Sequence, residues 1–177
     1  MLIEHTTLDV IEKHLLGMGG GNHRDNMDRL KRFECHCSVS LTEKEFLDLV
    51  FLQNDEVRTL SVSPQGCDRT LRAVARRAID LGQPKLTDNW DLAENLRRMR
   101  EKLGKRGQLP EALVLCEAKC GEEQHGPWYL QDGSHRALAC ATLMLLDEAN
   151  YEQHIAYCSM SKRMYQMLSA GQPDNHL

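Results

Sequence analysis

No stretch of this 177-residue sequence is apolar for long enough to cross a bilayer. The longest run, Ala137 to Leu146, stops at Asp147, well short of the ~20 residues a spanning helix needs. The first residues, Met1-Leu2-Ile3-Glu4-His5, show no basic region followed by an apolar stretch, and no lipidation motif is visible. A soluble, cytoplasmic protein is therefore expected. No Cys-x-x-Cys pair occurs among the 7 cysteines. With no leader and an odd count, reduced thiols are expected rather than a disulfide framework. The glycine run Gly17-Met18-Gly19-Gly20-Gly21-Asn22 lacks a following Gly-Lys-Ser/Thr and a strand–helix setting. That excludes a P-loop or a dinucleotide fingerprint and leaves a flexible connection. Internal repeats and low-complexity tracts are also absent.

What is present is an ordinary globular mixture, with apolar residues at 41% and charged residues interspersed, so global disorder is excluded. The net charge of −4 is unevenly placed: residues 69–106 hold 11 Lys+Arg against 5 Asp+Glu, and the remainder is acidic. A basic middle could meet nucleic acid, a nucleotide or an acidic partner; it could equally be two solvated helix faces.

Along the chain, residues 4–16 read as a helix with Val10, Ile11 and Leu15 inward. Phe33, Cys35, Cys37, Val39 and Leu41 alternate with polar residues, which predicts a half-buried strand. Thr42 and Glu45 match a capping box, and the following helix is expected to run through Leu52. Residues 57–63 read as a strand. A helix capped by Asp68 is expected to about Leu81, with Arg69, Arg72, Arg76 and Arg77 outward. Another starts at Thr87 or Asp88 and carries Leu92, Leu96, Met99 and Leu103 at helical spacing. Ala112–Cys116 reads as a buried strand, and 119–127 as a hairpin-like loop. Trp128-Tyr129-Leu130 is a returning strand whose aromatics are core and rim residues. His154–Cys158 is a last strand, and 161–168 a short final helix. Cys35-His36-Cys37 and Cys116/Cys120/His125 have the look of metal fragments. Neither is completed by a second pair, so buried small hydrophobes are the better reading.

The most informative stretch is Asp132-Gly133-Ser134-His135-Arg136, a polar turn between the aromatic strand and an almost wholly apolar helix. Gly133 permits a sharp turn. The first N–H groups of the helix lack intrahelical partners and carry partial positive charge. With Arg136 beside them they form an anion site, most simply for phosphate. Each residue has a plainer alternative. Arg136 could pair with Asp132 or another carboxylate. His135 could donate to phosphate, act as a general base, or be satisfied by backbone. Ser134 could bind phosphate or be only the N-cap. Asp132 could position a metal or a substrate hydroxyl, or merely form the turn.

The order of elements over residues 91–170, with Gly-x-x-Leu-Pro before the buried strand and Asp-Gly-Ser-His-Arg before the apolar helix, resembles the ParB/sulfiredoxin-like domain. The resemblance implies a compact α/β domain: a mixed sheet flanked by helices over 67–170, an N-terminal α/β extension over 1–66 packed on that core, and a loose tail at 171–177. It implies that Gly133, Ser134, His135 and Arg136 hold a nucleotide or other phosphate. It further implies that Asp132 and His135 serve any catalysis, and that Mg²⁺ accompanies a bound nucleotide. Ser134 stands where sulfiredoxins carry their reactive Cys, which argues against sulfinic-acid reduction. If enzymatic, phosphoryl transfer or nucleotide hydrolysis is then the implied class. Glu94-Asn95-Leu96-Arg97-Arg98 matches a ParB nucleotide motif in composition, but precedes the glycine turn instead of following it. No ParB-type helix-turn-helix follows, and residues 1–66 match no known pattern. The alternative function is a non-catalytic module that contacts DNA or a protein through the basic 69–106 region.

Overall fold

The computed structural model describes residues 2–18, 23–52, 60, 69–87, 90–103, 109, 111–118 and 128–170. Expectations for 19–22, 57–59, 61–63 and 119–127, for Asp68 and Asp88, and for the tail fall outside the described residues. Leu60 is helical rather than part of a strand, and the helix expected from Thr87 or Asp88 begins at Leu92, where Asp91 Oδ1 accepts from Glu94 N–H. The fold is α/β, with a six-stranded mixed sheet between two layers of helices. Its strands are β1 (Leu2–His5), β2 (Cys35–Leu41), β3 (Val50–Phe51), β6 (Leu113–Glu117), β7 (Trp128–Asp132) and β8 (His154–Met160). Their order is β1-β2-β8-β6-β7-β3, with β6–β8 and β3–β7 parallel and the other neighbours antiparallel. A small ribbon joins β4 (Lys85–Thr87) to β5 (Trp90–Asp91).

Two helices, α1 (Leu8–Gly17) and α2 (His23–Leu30), cover one face. They bury Ile11, Leu15, Met27 and Leu30 against Val114, Cys116 and Tyr129. Each such side chain contributes about 1.5–3 kcal/mol on leaving water. The opposite face carries α3 (Glu43–Leu47), α4 (Leu71–Asp80), α5 (Leu92–Leu103) and α6 (Ser134–Leu145), with α7 (Lys162–Ala170) half-buried at its margin. Helix α6 is buried on nearly every side because α4 and α5 both pack on it. Its Ala137, Ala139, Cys140 and Ala141 are small enough to admit both neighbours.

Several boundaries differ from the sequence reading. Residues 2–5 form an edge strand, paired to β2 from Leu2↔Ser40 to His5↔Cys37, and the helix begins only at Leu8. The capping box is present, with Glu45 N–H donating to Thr42 Oγ1 and Thr42 N–H to Glu45 Oε2. The helix it starts ends at Leu47, however, because Val50 and Phe51 pair with Tyr129 and Leu130. The next helix is capped by Thr70, whose Oγ1 accepts from Ala73 N–H. Arg69 precedes that helix and turns inward, donating to Phe51 O and Tyr129 Oη. Phe33 lies before β2 and packs with the α1–α2 layer, away from Cys37, Val39 and Leu41.

The extension is structurally continuous with the core. Strands β1, β2 and β3 belong to the same sheet as β6, β7 and β8. No helix among the described residues is long and apolar enough to cross a membrane.

Candidate functional site

Strand β7 delivers the chain to the turn, and Gly133 makes the turn. Its φ of 88° and ψ of 13° lie in the left-handed region, where a Cβ is unfavourable. Gly133, rather than Ser134, is the N-cap of α6, and no side chain caps the helix. Ser134 is the first helical residue. The first intrahelical bond is from Ala137 N–H to Gly133 O at 2.9 Å. The N–H groups that precede it point out of the helix start.

The start of α7 is built differently. Ser161 N–H donates to Glu117 Oε2 at 2.6 Å, Ser161 Oγ–H to Glu117 Oε1, and Lys162 N–H to Glu34 Oε2. One helix start is thus filled by the chain's own carboxylates, and the other opens on a cleft. That cleft has a volume of about 350 Å³ and is lined by Met18, Asn26, Gln131, Asp132, Gly133, Ser134, His135 and Arg136. The turn residues singled out in the sequence are therefore brought together on one wall.

Arg136 is held firmly. Its side chain is only 15% exposed, with Nη1 on Glu111 Oε2 and near Met18 Sδ, and Nη2 3.3 Å from Asp132 Oδ2. Carboxylate pairing of Arg136 is thus realised, with Glu111 as the principal partner. Strand register explains that partner: Val114 pairs with Asp132, so the residues entering β6 lie beside the turn leaving β7. Glu111 is 43% exposed and carries no such constraint of burial.

The floor of the cleft is a feature the sequence reading missed. Register shifts between Val114↔Asp132 and Leu115↔Leu130, which leaves Gln131 as an extra residue on β7. Such bulges re-aim a side chain. Here Gln131 Nε2 donates to Asn26 Oδ1 at 2.8 Å, and Gln131 Oε1 accepts from Cys116 Sγ. Asn26 and Gln131 are 6% and 9% exposed. Buried amides are stable only when partnered, so this pair fixes α2 against β7.

Among the described residues, four of the cysteines are buried in the fold. Cys37 and Cys158 face each other across β2 and β8 in the core. Burial pushes the Cys140 thiol up to about 12, which suits a packed residue and not a nucleophile. Among the described residues no group of three or more His, Cys, Asp or Glu side chains could hold a metal ion. His36 bonds Ser159 Oγ instead. In the basic region, Arg97 and Arg98 pair with Glu94, Arg97 also with Glu101, and Arg100 with Glu148. Three of the eleven basic side chains of that region are thereby compensated within the fold.

Comparison with known proteins adds no relative: the chain matches no family model, no curated protein and no solved structure.

Proposed function

We propose that this chain is a ParB/sulfiredoxin-like protein that binds a nucleotide or another phosphate ligand at Asp132–Arg136. One observation carries the reading: a helix start with a left-handed glycine cap and no side-chain cap opens on a cleft beside a largely buried arginine. Backbone N–H groups, the helix dipole and a guanidinium converge there, and each favours an anion. Glu111 already supplies a carboxylate to Arg136. A phosphate oxygen would take that place, returning the partly exposed Glu111 to water.

If the site is catalytic, phosphoryl transfer or nucleotide hydrolysis suits it. Arg136 and the N–H groups of the α6 start would stabilise charge on the phosphoryl oxygens. His135, which lines the cleft, would orient the nucleophile. If Mg²⁺ came with the phosphates, the usual way this ion is held, Asp132 would be the carboxylate to meet it.

The test is thermal stability of the wild type and Arg136→Ala with inorganic phosphate, ATP, ADP, CTP and GTP, each with and without Mg²⁺. A ligand at ~100 times its dissociation constant stabilises by about 2.7 kcal/mol. The expected result is stabilisation of the wild type by at least one of these ligands and loss of the effect in the variant. No shift in the wild type, or equal shifts in both proteins, overturns the reading.

A further inference from the structure

The cleft has two walls of different origin. The turn and α6 lie in the region that resembles the ParB/sulfiredoxin-like domain. Met18 and Asn26 come from the extension, which carries no such resemblance. Asn26 is 6% exposed and lines the cleft. Its Oδ1 is committed to Gln131, while its Nδ2 donates to no group among the described residues. With its oxygen held by Gln131 and the side chain on the cleft wall, the amide has its N–H donors left to offer to what enters the cleft. The orientation is fixed by a relay, in which Cys116 donates to Gln131 Oε1 and Gln131 Nε2 donates to Asn26 Oδ1. What the relay leaves facing the cleft is a pair of N–H donors.

We infer that Asn26 is a specificity-determining residue that donates to a neutral acceptor, a carbonyl oxygen or ring nitrogen, on the non-phosphate part of the ligand. The inference rests on the phosphate-binding reading above and adds a second recognition point to it. The extension thereby selects among phosphate esters that the turn alone would hold alike. A donor held in fixed orientation on the cleft wall favours a ligand that carries the matching acceptor over one that does not.

The probes are inorganic phosphate and the nucleotides ATP, CTP, GTP and UTP, titrated into the full chain. Asn26→Ser removes the amide donors without adding charge. Asn26→Asp keeps an oxygen acceptor for Gln131 and serves if the serine variant fails to fold. The wild type is expected to bind one nucleotide at least tenfold more tightly than inorganic phosphate. Asn26→Ser should weaken that nucleotide tenfold or more while leaving inorganic phosphate within threefold. Asn26→Asp should weaken the nucleotide by a larger factor than inorganic phosphate, because its charge acts on both and the lost donor on the nucleotide alone. The inference is overturned if the nucleotide is unaffected, if nucleotide and phosphate weaken together, or if the wild type binds phosphate and no nucleotide better. If neither phosphate nor any nucleotide binds the wild type, the phosphate-binding reading itself fails, and the role of Asn26 with it.

Discussion

Arg136 lies over Gly133 so closely that a Cβ on the glycine would sit 2.9 Å from Arg136 Nη2, and 2.6 Å from Leu113 Cδ2 on its other side. Gly133→Ala therefore meets two costs, a left-handed backbone at about 1–2 kcal/mol and overpacking at about 1–3 kcal/mol. A loss of about 2–5 kcal/mol in urea denaturation is expected. Gly82 provides the control. Its φ is +72°, but nothing lies within 4 Å of its added Cβ. Gly82→Ala should cost only about 1–2 kcal/mol. Equal costs at the two sites would show that Arg136 and Leu113 give way freely.

Glu111 and an incoming phosphate compete for the same guanidinium. Glu111→Gln removes the internal charge and is expected to tighten phosphate binding several-fold. Asp132→Asn should have a smaller effect, since Asp132 stands 3.3 Å from Nη2 and is not the principal partner. Isothermal titration of the three proteins with inorganic phosphate decides this. Weaker binding by Glu111→Gln would mean that the glutamate holds Arg136 in place for the ligand instead of competing with it.

His154 makes stability depend on pH. The ring is 1% exposed, stands edge-on to Phe46 and Tyr151, and accepts from Leu109 N–H at Nδ1. Burial holds its pKa down at about 4, against 6.5 for the unperturbed group. The unfolded chain therefore takes up a proton at this residue before the folded one does. The resulting stabilisation is complete above pH 6.5 and is lost as pH falls towards 4, by about 3 kcal/mol in all. Denaturation of the wild type and His154→Leu from pH 7.5 to 4.5 should give curves that converge on acidification. Parallel curves would show that His154 does not titrate in this range.

Buried thiols should be inert in the native state. Cys37, Cys116, Cys140 and Cys158 are buried, and Cys35 is half-buried. Among these five described cysteines, native alkylation with iodoacetamide at pH 8, read by peptide mass spectrometry, should label Cys35 first. The other four should react only as fast as the protein opens. Rapid modification of Cys140 in folded protein would contradict its packing beneath α4 and α5.

The parts of the fold legible in the sequence are those set by local chemistry. The capping box at Thr42, the alternation within Cys35–Leu41, and the glycine turn into an apolar helix all carry their signal within a few residues. The elements that escaped are held by distant partners. β1 is only four residues long and exists because β2 lies beside it. The two-residue β3 interrupts a helical pattern because β7 offers a free edge, a case of tertiary pairing overriding propensity. At the site the same division holds. The turn could be read directly, whereas Glu111 reaches Arg136 through strand register and Asn26 meets Gln131 across 105 residues of sequence. A polar residue on a polar helix and a glutamine in a strand give no local hint of each other.

The strand order has a consequence for how the molecule is made. β8 is flanked by β2 and β6, and its antiparallel partner β2 is formed more than a hundred residues earlier. Pairings of such sequence separation close slowly, because the loop entropy is lost before the contact is gained. During synthesis β1 and β2 must wait for β8, with an unpaired edge exposed meanwhile. Met18 and Arg136, 118 positions apart, meet only when both halves of the chain are present. A nascent or proteolysed chain without both halves would have the turn and no cleft.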